Sequence, residues 1–161
     1  MCTVRRITTS DDLYAQERLL REAVLLRPIG YDLDRFSEEY PRVDLEAEHF
    51  VAVRRDGGEE MVVGCALLLP HEPDEGSGKV MQVAVDEEHR GRGIGRRLME
   101  AVQSYAFEDL GLERVVCHAQ LPAVAFYKTL GWTVSGDVFS EAGVDHLKMG
   151  LGAPAANGRV G

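Results

Sequence analysis

Two rhythms of apolar and polar positions run along this chain. Thr3 to Thr8 is rich in β-branched residues and runs into Ser10-Asp11-Asp12, a capping side chain followed by acids suited to a helix's positive end. Leu13, Leu20 and Val24 then recur at helical spacing until Pro28 and Gly30 stop the run. The pattern predicts a strand and then a helix. Residues 30–45 are polar with scattered aromatics (Tyr31, Phe36, Tyr40), which fits a short helix or an ordered loop. His49 to Val53 reads as a strand, Asp56-Gly57-Gly58 as a hairpin turn, and Met61 to Leu69 as the apolar strand that follows it. A second turn, Pro73 to Gly78, leads into Lys79 to Val85, so three successive strands form an antiparallel meander.

After Val85 the period becomes helical. Ile94, Leu98, Ala101, Val102, Tyr105 and Leu110 share one face, and Gly111 sits where a C-terminal cap belongs. Val115-Val116-Cys117 reads as a short buried strand. Pro122 suits a first helical turn, and Ala123 to Leu130 forms a short helix ended by Gly131. Segments around Trp132-Thr133-Val134 and Leu147 to Leu151 close the fold as strands. One domain is expected over residues 1–151, followed by a tail without a core pattern over 152–161.

A length of 161 residues with 45% hydrophobic and 28% charged residues is enough for one core without disulfides or a structural metal. It excludes collagen-like, coiled-coil and disordered classes. The 18 Lys and Arg against 27 Asp and Glu leave a net charge of −9, which disfavours nucleic acid and anionic membranes as partners. Cys2, Cys65 and Cys117 lack zinc-ligand spacing, and no run approaches the roughly 18 apolar residues of a membrane span. A cytoplasmic protein without a metal is expected.

The basic residues are not spread evenly. Four arginines fall within the nine positions His89 to Arg97, in the run Arg90-Gly91-Arg92-Gly93-Ile94-Gly95-Arg96-Arg97. Placed between an apolar strand and an amphipathic helix, glycines let the backbone approach a ligand, and free N–H groups at the helix start favour a pyrophosphate. Arginines beside them add charge-assisted bonds to phosphate oxygens. A flexible turn with solvated arginines is the plainer alternative. A dinucleotide fingerprint begun at Gly91 fails at Arg96, and a P-loop fails because Gly78-Lys79 is followed by Val80.

The run resembles the signature of the GNAT superfamily of N-acetyltransferases: Gln or Arg, two residues, Gly, one residue, then Gly or Ala, read at Arg90, Gly93 and Gly95. Val80 to Val85 is similar to the family's fourth strand, 93–110 to its CoA-binding helix, and 114–117 to its fifth strand. Ala123, Phe126, Tyr127, Gly131 and Trp132 are similar to its Ala, Leu/Phe-Tyr and Gly-Phe segment. The ending Phe139 to Met149 further resembles ElaA-like and YjcF-like bacterial members. The resemblance is close over residues 79–151, and before that it holds in element order. It implies an α/β GNAT fold with a mixed, mostly antiparallel sheet of six to seven strands, about four flanking helices, and a splay between strands 4 and 5.

What the resemblance implies about the site can be given residue by residue. Backbone N–H groups of Gly91, Arg92, Gly93, Ile94 and Gly95 hold the pyrophosphate of acetyl-CoA, with Arg90 beside them. The strand edge at Val83 and Val85 pairs with the pantetheine arm, near Phe126. Arg96 or Arg97 reaches the 3′-phosphate, or either lies on a solvated helix face. Members often carry Asn seven residues before the tyrosine, where this chain has Gln120. Tyr127 matches the tyrosine that protonates the departing thiolate, though a short helix's inner face also suits a core tyrosine.

An acceptor amine with a pKa near 10.4 must lose its proton before attack, so a base or water chain is required. His118, Glu141, His146 and Glu72 are candidates, with Glu141 and His146 favoured because they lie in the ElaA-like ending. A structural hydrogen-bonding role suits each equally well. The N–H near Val83 is an oxyanion donor candidate, and His49 and Gln82 are candidates for the acceptor cleft. Cys117 reads as a core residue, and His71 and His89 as exposed turn residues. The expected activity is acetyl-CoA-dependent N-acetylation of a primary amine by direct attack in a ternary complex. The alternative is a non-catalytic acyl-CoA sensor or interaction module. Overall acidity points to polyamines, aminoglycosides or peptide termini as acceptors, and a homodimer fits the superfamily.

Overall fold

A computed structural model describes residues 2–155. In chain order the elements are β1 (Cys2–Ile7), α1 (Tyr14–Arg21), α2 (Leu33–Glu39), α3 (Val43–Glu46), β2 (Glu48–Asp56), β3 (Glu59–Pro70), β4 (Ser77–Val85), α4 (Ile94–Ser104), β5 (Arg114–Gln120), α5 (Val124–Thr129), β6 (Thr133–Glu141) and β7 (Val144–Gly152). The strands form one sheet in the order β1-β2-β3-β4-β5-β7-β6. Every neighbouring pair is antiparallel except β4 and β5, which run parallel. Of the tail expected from Gly152, residues 156–161 lie outside the described residues, and β7 carries the sheet through Gly152 itself.

Both faces of the sheet are covered, as the alternation in β2 requires. Phe50 and Ala52 join the core under α4, with Leu98, Met99, Val102, Trp132 and Met149. Val51 and Val53 face the opposite layer, with Ile7, Leu13 and Leu20. A further cluster of Leu26, Leu33, Phe36, Val43 and Leu67 seats α2 and α3 on that second face. The region left open between a short helix and a loop is therefore two short helices, with Asp32 capping α2 by accepting from the N–H of Arg35 at 2.8 Å. Close packing of α4 demands Gly64 in β3, because a Cβ there would stand 2.9 Å from Leu98 Cδ1 and 3.1 Å from Ile94 Cγ2.

Two irregularities shape the centre. In β4 the pairing jumps from Cys65↔Ala84 to Leu67↔Met81, which sets Gln82 and Val83 opposite Ala66 in a β-bulge, with Gln82 at φ 52°. The parallel pairing of β4 with β5 covers only Ser77↔Arg114 through Val80↔Cys117. Beyond Val80 the two strands part company. Helix α1 continues into a π turn, Glu22–Leu26, and a 3-10 turn, Arg27–Ile29, which carry Leu25, Leu26 and Ile29 to the mouth of that gap. Among the described residues, no helix is long and apolar enough to cross a membrane.

Candidate active site

The divergence of β4 and β5 opens a cleft of about 870 Å³. Its first arm is built at the start of α4. Gly93 is the N-cap at φ 77°, in the left-handed region that disfavours a side chain, and no side chain caps the helix. The first backbone bond into this end runs from the Arg97 N–H to the Gly93 carbonyl at 3.1 Å. Among the described residues, the N–H groups just before it have no acceptor, as the opening turn of any α-helix leaves them. Space above them is open, since a Cβ at Gly91 or Gly93 would meet nothing within 4 Å. Free donors, the positive helix end and open space together fit a pyrophosphate.

The arginines divide around this turn. Arg90 and Arg96 line the cleft; Arg90 donates from Nε to the Val85 carbonyl at 3.2 Å, and Arg96 from Nη2 to the Thr129 carbonyl at 3.2 Å. Arg92 instead lines a separate recess with Arg54, His89 and Arg97 and does not line the main cleft. His89 is buried rather than exposed on a turn. Its Nδ1 lies 2.8 Å from Asp86 Oδ2 and its Nε2 3.0 Å from Arg54 Nη1, which compensates its burial. His71 is exposed.

The middle of the cleft is the gap itself, lined by Val83, Val85, Ile94, Gly95, Gln120, Phe126 and Tyr127. Phe126 stands over Gly95, where a Cβ would come 3.2 Å from the ring. Tyr127 is 6% exposed, packs its ring against Phe126 and Trp132, and shares a hydrogen bond with the Cys117 thiol. Burial, and then Cys117, push the phenol well above its ordinary value, so it keeps its proton at neutral pH. Burial also pushes the Cys117 thiol up to about 12, against the opposing effect of the Tyr127 hydrogen bond, which makes it an inert core residue.

The far arm holds Glu141, His118 and His146. The sheet brings them together: Gln120 pairs with His146 between β5 and β7, and His146 with Phe139 between β7 and β6. His118 Nδ1 lies 2.9 Å from Glu141 Oε1, and His146 Nε2 lies 3.8 Å from Glu141 Oε2. The Nδ1 of His146 donates to the Val144 carbonyl at 2.7 Å, which in the neutral ring leaves Nε2, facing Glu141, as the basic nitrogen. Phe139 packs edge-on to His118 and parallel to His146. Glu72 does not line the cleft.

Of the two acceptor-side expectations, the one for His49 is revised. His49 is 1% exposed and does not reach the cleft; its Nδ1 is 2.9 Å from the Glu17 carboxylate and its Nε2 2.8 Å from the Asp44 carbonyl. Gln82 lines the cleft, and its side chain accepts from Arg21 Nε at 3.1 Å. Arg21 and Glu17 are wholly buried and were not legible as site residues, because arginine and glutamate on an amphipathic helix ordinarily mark its solvent face. Among the described residues, no group of His, Cys, Asp and Glu is arranged to hold a metal.

The model of the acetyltransferase (GNAT) family matches residues 16–132 of this chain. The chain belongs to that family. Among similar proteins, the uncharacterized protein YyaT of Bacillus subtilis is 23% identical over 146 residues, covering 91% of this chain and 93% of its own length. An acyl-CoA N-acyltransferase from Pseudomonas aeruginosa superposes with a TM-score of 0.73 at 26% identity, over 93% of this chain and 99% of that one. Escherichia coli ElaA shares the fold with a TM-score of 0.73 at 23% identity, over 93% of this chain and 99% of that one. For a GNAT protein the general chemistry is acyl transfer from an acyl-CoA.

Proposed function

We propose that this GNAT protein, as one domain over residues 1–151, transfers the acetyl group of acetyl-CoA to a primary amine by direct attack in a ternary complex. The observation that carries the reading is the continuity of one cleft from the unpartnered N–H groups at the start of α4, through the gap beside Val83 and Val85, to Glu141. Acetyl-CoA supplies an acetyl group activated as a thioester. Residues 91–95 bind its pyrophosphate through backbone N–H groups, and the unpaired edge of β4 orients the pantetheine arm. The N–H near Val83, in the bulged stretch of β4, polarises the thioester carbonyl. Glu141 or His146 first takes a proton from the bound ammonium; the neutral amine nitrogen then bonds to the carbonyl carbon as the carbon–sulfur bond breaks. Tyr127 gives a proton to the leaving sulfur, and the remaining extra proton on the nitrogen returns the Tyr127 phenolate to phenol. These protons move within the cleft, so charge is balanced without a metal in the step.

One observation favours the sensor reading. The Tyr127 hydroxyl is engaged by Cys117 inside the core and must turn outward to serve as an acid. Release of CoA thiol from acetyl-CoA, measured with and without an amine panel, decides between the two. Amine-dependent release supports transfer. Tight CoA binding with no such release would establish the sensor.

A further inference from the structure

The acidity of the whole chain points to polycationic acceptors, but the cleft itself is differently made. Among the described residues lining it, Glu141 is the sole carboxylate, and it shares the cleft with the fixed cations Lys79, Arg90 and Arg96. The wall on the acceptor side comes from the distorted end of α1 and from α2: Leu25, Ile29, Tyr31, Phe36 and Tyr40, with Met81 from β4. This wall continues the apolar cluster around Leu26, Leu33 and Phe36. Burial, then Glu141 and after it Glu39, raise the Tyr40 phenol, so Glu141 and the apolar wall border the same space; Glu39 lies outside the cleft lining and is already paired with Arg35 at 3.0 Å.

Resting on the transferase reading, we propose that the acceptor is a primary monoamine with an apolar or aromatic body. One ammonium finds one carboxylate. A second ammonium held against the leucine, isoleucine and aromatic side chains would be desolvated without a partner, which is strongly unfavourable. The many hydroxyls and amines of an aminoglycoside fare no better, because few polar groups on this side are free to meet them: Gln82 Oε1 is taken by Arg21, and the Tyr31 hydroxyl by Glu39 at 3.0 Å. An alkyl chain or aromatic ring, by contrast, removes the wall from water without leaving a polar group unsatisfied. The net charge of −9 then acts outside the cleft, not inside it.

The test compares hexylamine with 1,6-diaminohexane, molecules of one length that differ by a terminal ammonium, together with 2-phenylethylamine and spermidine. With saturating acetyl-CoA, kcat/KM for hexylamine and 2-phenylethylamine should exceed that for the diamine and spermidine by about tenfold or more. A diamine or spermidine that equals or surpasses the monoamines overturns the proposal while leaving the transferase reading intact. If none of the amines is acetylated, the transferase reading fails and calorimetric binding of the same amines to the CoA complex still decides: monoamines bound more tightly support the proposal, and equal or reversed order overturns it. Ile29→Glu, which adds a second carboxylate to the wall, should shift the hexylamine-to-diamine ratio towards the diamine by about tenfold. Ile29→Gln, which loses the packing without adding charge, should not favour the diamine. An unchanged ratio in Ile29→Glu overturns the placement of the acceptor.

Discussion

Replacing Arg21 with methionine should be among the most destabilising single changes available in this protein. Its guanidinium donates from Nη1 and Nη2 to the two oxygens of Asp44 at 2.8 and 2.9 Å, from Nη1 to Glu17 at 3.2 Å, and from Nε to Gln82 at 3.1 Å. Glu17 also carries His49, and Tyr14 donates to Asp44, so Arg21 is the cation at the centre of a buried polar cluster. Methionine fills much of the volume but leaves Glu17 and Asp44 underpaired inside the fold. Breaking a buried ion pair from one side costs about 3–5 kcal/mol. For a chain of this length, that lowers the melting temperature by roughly 6–20 °C at about 2–4 °C per kcal/mol. Urea denaturation should show the midpoint falling with the slope unchanged. A loss below about 1 kcal/mol would refute the reasoning, because it would mean that the cluster is solvated or already protonated. The cluster also sets a pH window. Burial pushes the Asp44 carboxyl up, but the hydrogen bonds and charge of Arg21 bring it below its ordinary value, so its contribution is lost as pH falls through the folded pKa. Burial pushes His49 down, but the bond to Glu17 and its charge bring it above its ordinary value. Its contribution is therefore complete below about pH 6.5 and is lost as pH rises through the folded pKa.

Three further changes probe the cleft and the core. Gly93→Glu places a charged side chain at φ 77° among the free N–H groups, and CoA binding by calorimetry should fall beyond detection while the fold persists. Native affinity in that variant would move the pyrophosphate elsewhere. Tyr127→Phe should lower kcat by about tenfold to a thousandfold with CoA affinity nearly intact, and unchanged kcat at saturating substrates would remove the acid role. Gly64→Ala drives a methyl group towards Leu98 and Ile94 and should destabilise the protein by about 1–3 kcal/mol in thermal or urea melts; a neutral result would show that α4 can shift away from the sheet.

Element order, the central strand and the helix that follows it were legible because each rests on local chemistry: apolar runs bounded by turn residues, the period of α4, and glycines at its start; the bulge in β4 left no mark in the sequence. Packing partners were less legible. His49 looked like a cleft residue because histidine at a strand end ordinarily faces a site, and only the folded chain brings Glu17 and Asp44 against it. His89 looked exposed because its neighbours in sequence are charged, yet Arg54 arrives from a distant strand. Arg92 lines a different recess from Arg90 although they are two positions apart, a matter of turn geometry that composition does not carry. The grouping of Glu141, His118 and His146 depends on β5–β7–β6 register, and the sequence hinted at it through family likeness alone. The apolar acceptor wall lies in residues 24–40, where no motif speaks.

The short parallel pairing of β4 with β5 has a consequence for association. An unpaired strand edge ordinarily invites another chain to add itself, and proteins protect the margins of their sheets for that reason. Here the open edge lies in the middle of the sheet, between β4 and β5 and beside Phe126. A second sheet cannot slide into such a slot. A slender extended molecule can, and its own amides can then complete the ladder that the strands leave unfinished. The fold thus selects by width what is permitted to behave as a strand.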